Sequence, residues 1–334
     1  MDPNTYTLIT GANGEVGHEL ISRLQGSKII TLDLNELDES LKENVEASIK
    51  GSVTDKDIVK KIFAEYKINT VYHLAAILST SAEKNPELAE EVNVSGTFNL
   101  LSEANNKAIS EKRVIKFIFP SSIAVYGMPS LEIKNQNPKV KESEFLNPIT
   151  MYGINKLYCE YLGIYFSTYY QLLANSYHYL DFRCLRFPGL ISANTIPSGG
   201  TSDYAPEMLH AAAKGEKYEC FVRPDSKIHF MTMPDAIDAL LQLANAEKNK
   251  LSQSVYNIRG FSAKASEIEE TVKKSFPNAE ISYKVDVARQ KIIDSWSEDV
   301  DDSKAVEDWS WKAKYDFQKA FEEYLIPSIK SKYQ

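Results

Sequence analysis

Along the first half of the chain, short runs of apolar residues alternate with stretches whose apolar positions return every three or four residues. The runs are "YTLIT" from Tyr6, "KIITLD" from Lys28, "VEASIKG" from Val45, "TVYHLAA" from Thr70, "VIKFIFP" from Val114 and "FRCLRFP" from Phe182. They are rich in Val, Ile, Leu and Phe with little polar alternation, which predicts strands buried on both faces. The segments Glu15 to Gln25, Asp55 to Tyr66, Ala89 to Asn106 and Met151 to Tyr170 carry the helical period. Strand–helix alternation of this kind predicts an α/β fold with a doubly wound parallel sheet of the Rossmann type.

Beyond Pro188 the rhythm changes. Pro, Gly, Ser and Thr cluster as far as Pro206 and strand signals thin out, so a smaller substrate-binding region is expected to begin there. "SVYNIRG", Ser254 to Gly260, reads as one more buried strand that returns to the main sheet. The expected division is a Rossmann domain over 1–188, with 230–262 returning to it, and an interleaved C-terminal region made of 189–229 and 263–334. The polar, proline-broken stretch from Pro129 to Glu144 reads as an exposed loop.

Composition narrows the partners. A chain of 334 residues with 43% hydrophobic content can bury a full core, and its net charge of −8 opposes a phosphate backbone, so no nucleic acid is expected. No apolar stretch reaches the roughly 18 residues that a membrane helix needs. The three cysteines, Cys159, Cys184 and Cys220, form no disulfide framework, and the histidines show no ligand spacing, so no metal is expected. The first strand follows the initial methionine closely. Cytoplasmic location is therefore the expectation, or a mitochondrial one if a presequence lies outside this sequence.

"TLITGANGEVGHEL" sets Gly11, Gly14 and Gly17 between the first strand and first helix, with Asn13, Glu15 and Val16 in the same turn. Such a turn lets backbone approach a pyrophosphate at a helix N-terminus. The second strand ends in Asp33, followed by Leu34, about the ~20 residues onward at which a carboxylate receives ribose hydroxyls. That carboxylate repels a 2′-phosphate, which favours NAD over NADP. Further on, Tyr152 and Lys156 stand at i, i+4 on one helix face, where an ammonium is expected to lower the phenol's pKa for general-base work. Ser121 and Ser122 end the fifth strand, where open α/β sheets bind ligands; capping a turn is the competing role for either hydroxyl.

Together with "HLAA" (Leu74, Ala75 and Ala76 after His73), Asn93 in "EVNVSGTFNLL" and the Ser-Ser before "VYG", these motifs resemble the extended short-chain dehydrogenase/reductase superfamily over essentially the whole chain. The resemblance implies Ser122, Tyr152 and Lys156 as catalytic residues, with Tyr152 and Lys156 also against the cofactor and Lys156 on its nicotinamide ribose, and Asn93 as the helix asparagine beside the cofactor. It also implies Leu190, within Pro188 to Ile191, near the carboxamide. Ser52 and Val53 replace the aspartate–hydrophobic pair that the superfamily often places at adenine. Within the superfamily, "LRFPGLIS", "PSGGTSDYA" and "DSWSEDVDD" resemble the short-chain type of L-threonine 3-dehydrogenases. Ser202 stands where that family has a second threonine, and Ser297 where it has proline.

That likeness implies oxidation of L-threonine at C3 to 2-amino-3-oxobutyrate. Ser79, Ser122, Tyr152, Thr201, Ser202, Asp203 and Trp296 are then the residues that touch substrate, with its carboxylate at the helix N-terminus following Asp203. It also implies a homodimer through helices of the main domain and metabolic coupling to a 2-amino-3-ketobutyrate CoA ligase. Two other readings stay open from the residues alone. A sugar-nucleotide epimerase or dehydratase shares every motif up to Lys156, and Arg223 and Lys227 could serve its diphosphate. A regulatory protein that binds NAD without turnover would not need the tyrosine–lysine spacing.

Overall fold

All seven apolar runs become strands of one sheet. The computed structural model describes residues 4–24, 26–170, 179–195 and 200–333. In chain order the strands are β1 Tyr6–Thr10, β2 Ile29–Asp33, β3 Ala47–Lys50, β4 Ile68–His73, β5 Ile115–Ser122, β6 Leu180–Phe187, β7 Gly189–Ile191, β8 Tyr218–Cys220, β9 Lys227–Thr232, β10 Val255–Asn257, β11 Phe261–Lys264 and β12 Ile281–Tyr283. The helices are α1 Glu15–Arg23, α2 Lys56–Glu65, α3 Ser79–Lys84, α4 Pro86–Glu90, α5 Gly96–Ser110, α6 Leu131–Gln136, α7 Met151–Ile164, α8 Tyr204–Lys214, α9 Met233–Asn245, α10 Ala265–Ser275, α11 Val287–Ser295, α12 Ser303–Trp309, α13 Phe317–Lys319 and α14 Ile326–Tyr333.

The main sheet has the order β10-β6-β5-β4-β1-β2-β3, with β1 pairing in parallel to both β2 and β4. Strand order therefore reverses at β1 and β4, whose C-terminal ends open the crevice where ligands of such sheets bind. The doubly wound parallel sheet expected from the hydrophobic pattern is present, including the returning strand.

The chain divides into two compact units, residues 1–121, 154–185 and 237–256, and residues 122–153, 186–236 and 257–334. In the first, Leu8, Ile30, Val71, Leu100, Phe117 and Phe182 form one buried cluster. Each such side chain contributes on the order of 1.5–3 kcal/mol by leaving water. Arg183 on β6 is buried with them, which only full pairing makes tolerable. It meets Asp181 at 2.7 Å and donates to the carbonyls of Leu243, Ala244 and Ala246, thereby closing the C-terminal end of α9.

The second unit carries more strand than the thinning signals suggest. A three-stranded sheet of order β11-β9-β7 and a parallel pair β12-β8 hold strands of only three to six residues, too short for periodicity to register. Its core gathers Ile123, Tyr204, Met208, Phe230, Phe261, Trp296 and Phe321.

Two sequence expectations are revised. The single helix expected over Ala89 to Asn106 is interrupted by a π-helical turn at Glu91–Ser95. The stretch from Pro129 to Glu144 is more than an exposed loop: it contains α6, and both Lys134 and Val140 are buried.

Candidate active site

In the first unit, β1 leads into Gly11 at φ +68°, a left-handed conformation that favours glycine. A β-carbon there would lie 2.6 Å from the Ala75 backbone nitrogen, so the ends of β1 and β4 approach as closely as they do only because residue 11 has no side chain. Gly14 sits at the N-cap of α1 and supplies no capping side chain, so the positive end of that helix faces the turn without a side chain over it. Glu15, Val16 and Gly17 form the first turn of α1.

Asp33 ends β2, and its carboxylate accepts the backbone N–H groups of Asn13 and Asn35, each at 3.0 Å. Asn13 in turn bonds the backbone of Glu36 and Asp38, so the glycine turn and the β2 carboxylate are one connected loop system. Leu34 is exposed beside it. Ser52 bonds Thr54, whereas Val53 is buried in the apolar cluster against Gly96. These features fit NAD: a side-chain-free cradle at the start of a helix and a carboxylate held at the end of β2.

Behind the cradle lies a hydrogen-bonded chain that sequence reading missed. His73 bridges Thr10 at 2.7 Å and Thr97 at 2.8 Å, and burial pushes its imidazole down to about 3, so it is neutral. Leu74, Ala75 and Ala76 follow it, half-buried, and Ser79 starts α3. Asn93 occupies the π-helical turn. Its side chain exchanges hydrogen bonds with the backbone of Ile77 at 2.7 and 3.0 Å and donates to Asn155. The sequence singled out "HLAA" and Asn93, but not Thr10 and Thr97, which His73 joins only through tertiary contact.

Lys156 is buried on α7. Its Nζ donates to the Pro120 carbonyl at 2.7 Å and stands 4.4 Å from the Phe119 ring centre. Burial pushes the ammonium down to about 8, with His73 nearby as a neutral neighbour.

In the second unit, Ser122 closes β5 and caps the following 3₁₀ turn, accepting from the Ala124 N–H at 3.2 Å. It also hydrogen-bonds Tyr152. Its neighbour Ser121 is buried with its hydroxyl unpartnered. A β-carbon at Gly153 would overlap the Ala124 carbonyl, so this glycine is what lets the start of α7 bring Tyr152 down to Ser122. Gly153 was absent from the sequence candidates, although a glycine near a helix start is the kind of signal that marks close backbone approach. The phenol departs from expectation. Burial pushes Tyr152 up to about 12 and the bond to Ser122 only partly offsets this.

The remaining candidates also belong to this unit. Leu190 lies on β7, paired with Met231. Thr201 is buried, and Ser202 packs toward Gly189. Asp203 makes no side-chain cap to α8; instead it accepts the Gly200 N–H at 2.6 Å, while Arg289 donates to the Gly200 carbonyl. Pro197, Ser198 and Gly199 of the same segment lie outside the described residues. Trp296 is buried in the cluster against which Tyr152 packs. Arg223 is held bidentately by Asp294 at 2.9 Å and also meets Asp225, and Lys227 pairs with Glu298 at 3.2 Å.

Residues 7–258 match the family described as the NAD dependent epimerase/dehydratase family. The chain belongs to this family. NAD is its cofactor, in agreement with the cradle and Asp33. Among relatives of this family, the chain is 34% identical over 316 residues to the mitochondrial L-threonine 3-dehydrogenase of Bos taurus, covering 92% of this chain and 79% of that protein. Among solved structures it is similar to a monomeric L-threonine 3-dehydrogenase from a metagenome, at 37% identity and TM-score 0.85, covering 98% of this chain and all of that one. It is also similar to the L-threonine dehydrogenase of Clostridium difficile, at 33% identity and TM-score 0.86, with 98% of each chain covered. Among the described residues, no helix is long and apolar enough to cross a membrane.

Proposed function

We propose that this member of the epimerase/dehydratase family is an NAD-dependent L-threonine 3-dehydrogenase that forms 2-amino-3-oxobutyrate. The observation that carries the reading is the full-length likeness to threonine dehydrogenases, at 33–37% identity. The ion pairs of Arg223 and Lys227 support it against a sugar nucleotide. A diphosphate would have to displace Asp294 and Glu298 from those two cations, whereas an amino acid makes no such demand.

Bound NAD supplies the hydride acceptor. Tyr152 takes the proton of the threonine hydroxyl, and Ser122, already bonded to it, holds the same oxygen in line. Since burial holds the phenol protonated, the cation that can favour phenolate is Lys156, one turn along α7. The substrate carboxylate meets the N-terminus of α8 with Thr201 and Ser202, and Asp203 faces the ammonium. Ser79 and Trp296 complete the substrate contacts. Asn93, through Ile77 and Asn155, keeps the turn after β4 in register beside the cradle.

The active species in this reading is a homodimer. Ile154, Tyr158, Tyr161 and Tyr165 recur at helical spacing along one side of the helix and are each 47–57% exposed, with Phe98 of α5 also exposed. Its product, a β-keto amino acid, suits consumption by a 2-amino-3-ketobutyrate CoA ligase. A substrate panel followed at the NADH absorbance tests the reaction: reduction of NAD with L-threonine and none with UDP-sugars is expected. Turnover of UDP-sugars alone would replace the reading with an epimerase, and NAD binding without any turnover would replace it with a regulatory protein.

A further inference from the structure

The stretch from Met128 to Glu142, for which the sequence suggested no role, is fastened to both ends of the segment that holds Trp296. On the near side, the Met128 N–H donates to the Ser295 carbonyl at 2.7 Å, and Lys134 Nζ donates to the Ile293 carbonyl at 3.0 Å. On the far side, Val140 bridges to Val300, with its N–H on Asp299 and its carbonyl accepting from Asp301 at 2.8 Å. Glu142 then ties the same stretch inward, accepting the Asn257 N–H at 3.0 Å and the Arg186 guanidinium at 2.8 Å.

The Ile293 carbonyl is the decisive atom. It belongs to the last turn of α11 and receives two donors, the ammonium of Lys134 and the backbone N–H of Trp296 itself. A cation at a helix C-terminus is favourable, and burying a lysine is costly unless it is paired, so Lys134 is held to this carbonyl and to the nearby charges of Glu298 and Asp294. The tryptophan leaves the helix at the point where Lys134 clamps it. Its indole joins the cluster of Ile123, Ala124 and Phe230 against which Tyr152 packs.

We propose that Lys134 is a positioning residue for substrate specificity, acting through Trp296 from a strap that begins a few residues beyond Ser122. The proposal rests on the reading of Trp296 as a threonine contact. Loosening the clamp lets the indole drift from the substrate side while the NAD cradle, built from other residues, is untouched.

Lys134→Met is expected to raise KM for L-threonine about tenfold, with kcat and KM for NAD within about threefold of wild type. Lys134→Arg, which keeps a donor, is expected to restore it, and Lys134→Gln serves if the methionine variant does not fold. Adding Lys134→Met to Trp296→Ala is expected to leave KM where Trp296→Ala alone puts it, because both changes act through one side chain. Effects that multiply, or a fall in kcat with KM unchanged, would overturn the proposal. Wild-type protein that reduces no NAD with L-threonine overturns the reaction instead, and the strap is then judged by acrylamide quenching. An increase in quenching in Lys134→Met that is absent once Trp296 is also replaced by Phe, leaving only Trp309 and Trp311, supports it; quenching equal to wild type overturns it.

Discussion

Lys156 donates its Nζ proton to the backbone oxygen of Pro120, two residues before the serine that bonds Tyr152. One buried cation thereby holds the end of β5 and supplies the positive charge of the helix that carries the phenol. Burial pushes this ammonium down to about 8, so keeping it charged costs the fold something. Lys156→Met should therefore leave thermal stability equal to or above wild type while kcat falls about a hundredfold or more. Melting curves beside steady-state rates read both, and a variant that lost stability but kept its rate would contradict the assignment.

Tyr152→Phe removes only the hydroxyl that bonds Ser122, leaving the packing against the Trp296 cluster. NAD reduction with L-threonine should drop at least about a hundredfold, with NAD affinity unchanged by fluorescence titration. Full activity in this variant would sink the mechanism.

At Gly11 an alanine would have to adopt φ +68° with its β-carbon against Ala75. The expected result is a loss of about 1 kcal/mol or more in stability and at least a tenfold weaker NAD complex, both measurable by calorimetry. Unaltered NAD binding would show that the turn after β1 is not the cradle.

The exposed stripe along α7 and onto Tyr165, in the π-helical turn that follows it at Tyr165–Tyr169, makes its own prediction. Tyr161→Glu puts a charge in the middle of Ile154, Tyr158 and Tyr165, and should convert a dimer to monomer in light scattering without unfolding the chain. A wild-type protein that is monomeric, as the metagenomic relative is described, would remove the dimer from the reading.

Acid should unfold the protein through two histidines. His73 and His229 are buried neutral, with burial pushing them down to about 3 and about 4. Below pH ~6.5 the unfolded chain binds protons that the folded chain refuses, so stability falls as pH drops, by about 1.4 kcal/mol per unit for each histidine down to its folded value. Urea midpoints at pH 7 and 5 measure the slope. No change between them would mean that these imidazoles are not held neutral.

The sheet was legible because strands buried on both faces leave unbroken apolar runs, and Gly11, Asp33, Ser122, Tyr152 and Lys156 could be proposed from the sequence because their spacing carries chemistry. What stayed hidden depends on tertiary contacts. Lys134 sits in a polar, proline-broken run and is buried only because the end of α11 comes to meet it. The π turn at Asn93 shares its apolar period with an ordinary helix, so the pattern could not separate them. Gly153 matters through the carbonyl of Ala124, which no local pattern reveals. The phenol's rise to about 12 likewise follows from burial, where sequence spacing showed only a lysine one turn away.

The pairing of Arg183 with the carbonyls of Leu243, Ala244 and Ala246, and the place of β10 beside β6, bear on how this protein is made. A chain still emerging from the ribosome has its glycine turn, Asp33 and Lys156 long before it has the residues that satisfy Arg183 and cover the edge of β6. Until residue 257 is synthesised, that edge offers unpaired backbone, and Arg183 has Asp181 but not the carbonyls that complete its hydrogen bonds. The nucleotide-binding half is thus finished late in translation, and a fragment cut before α9 should aggregate rather than fold into a free-standing domain.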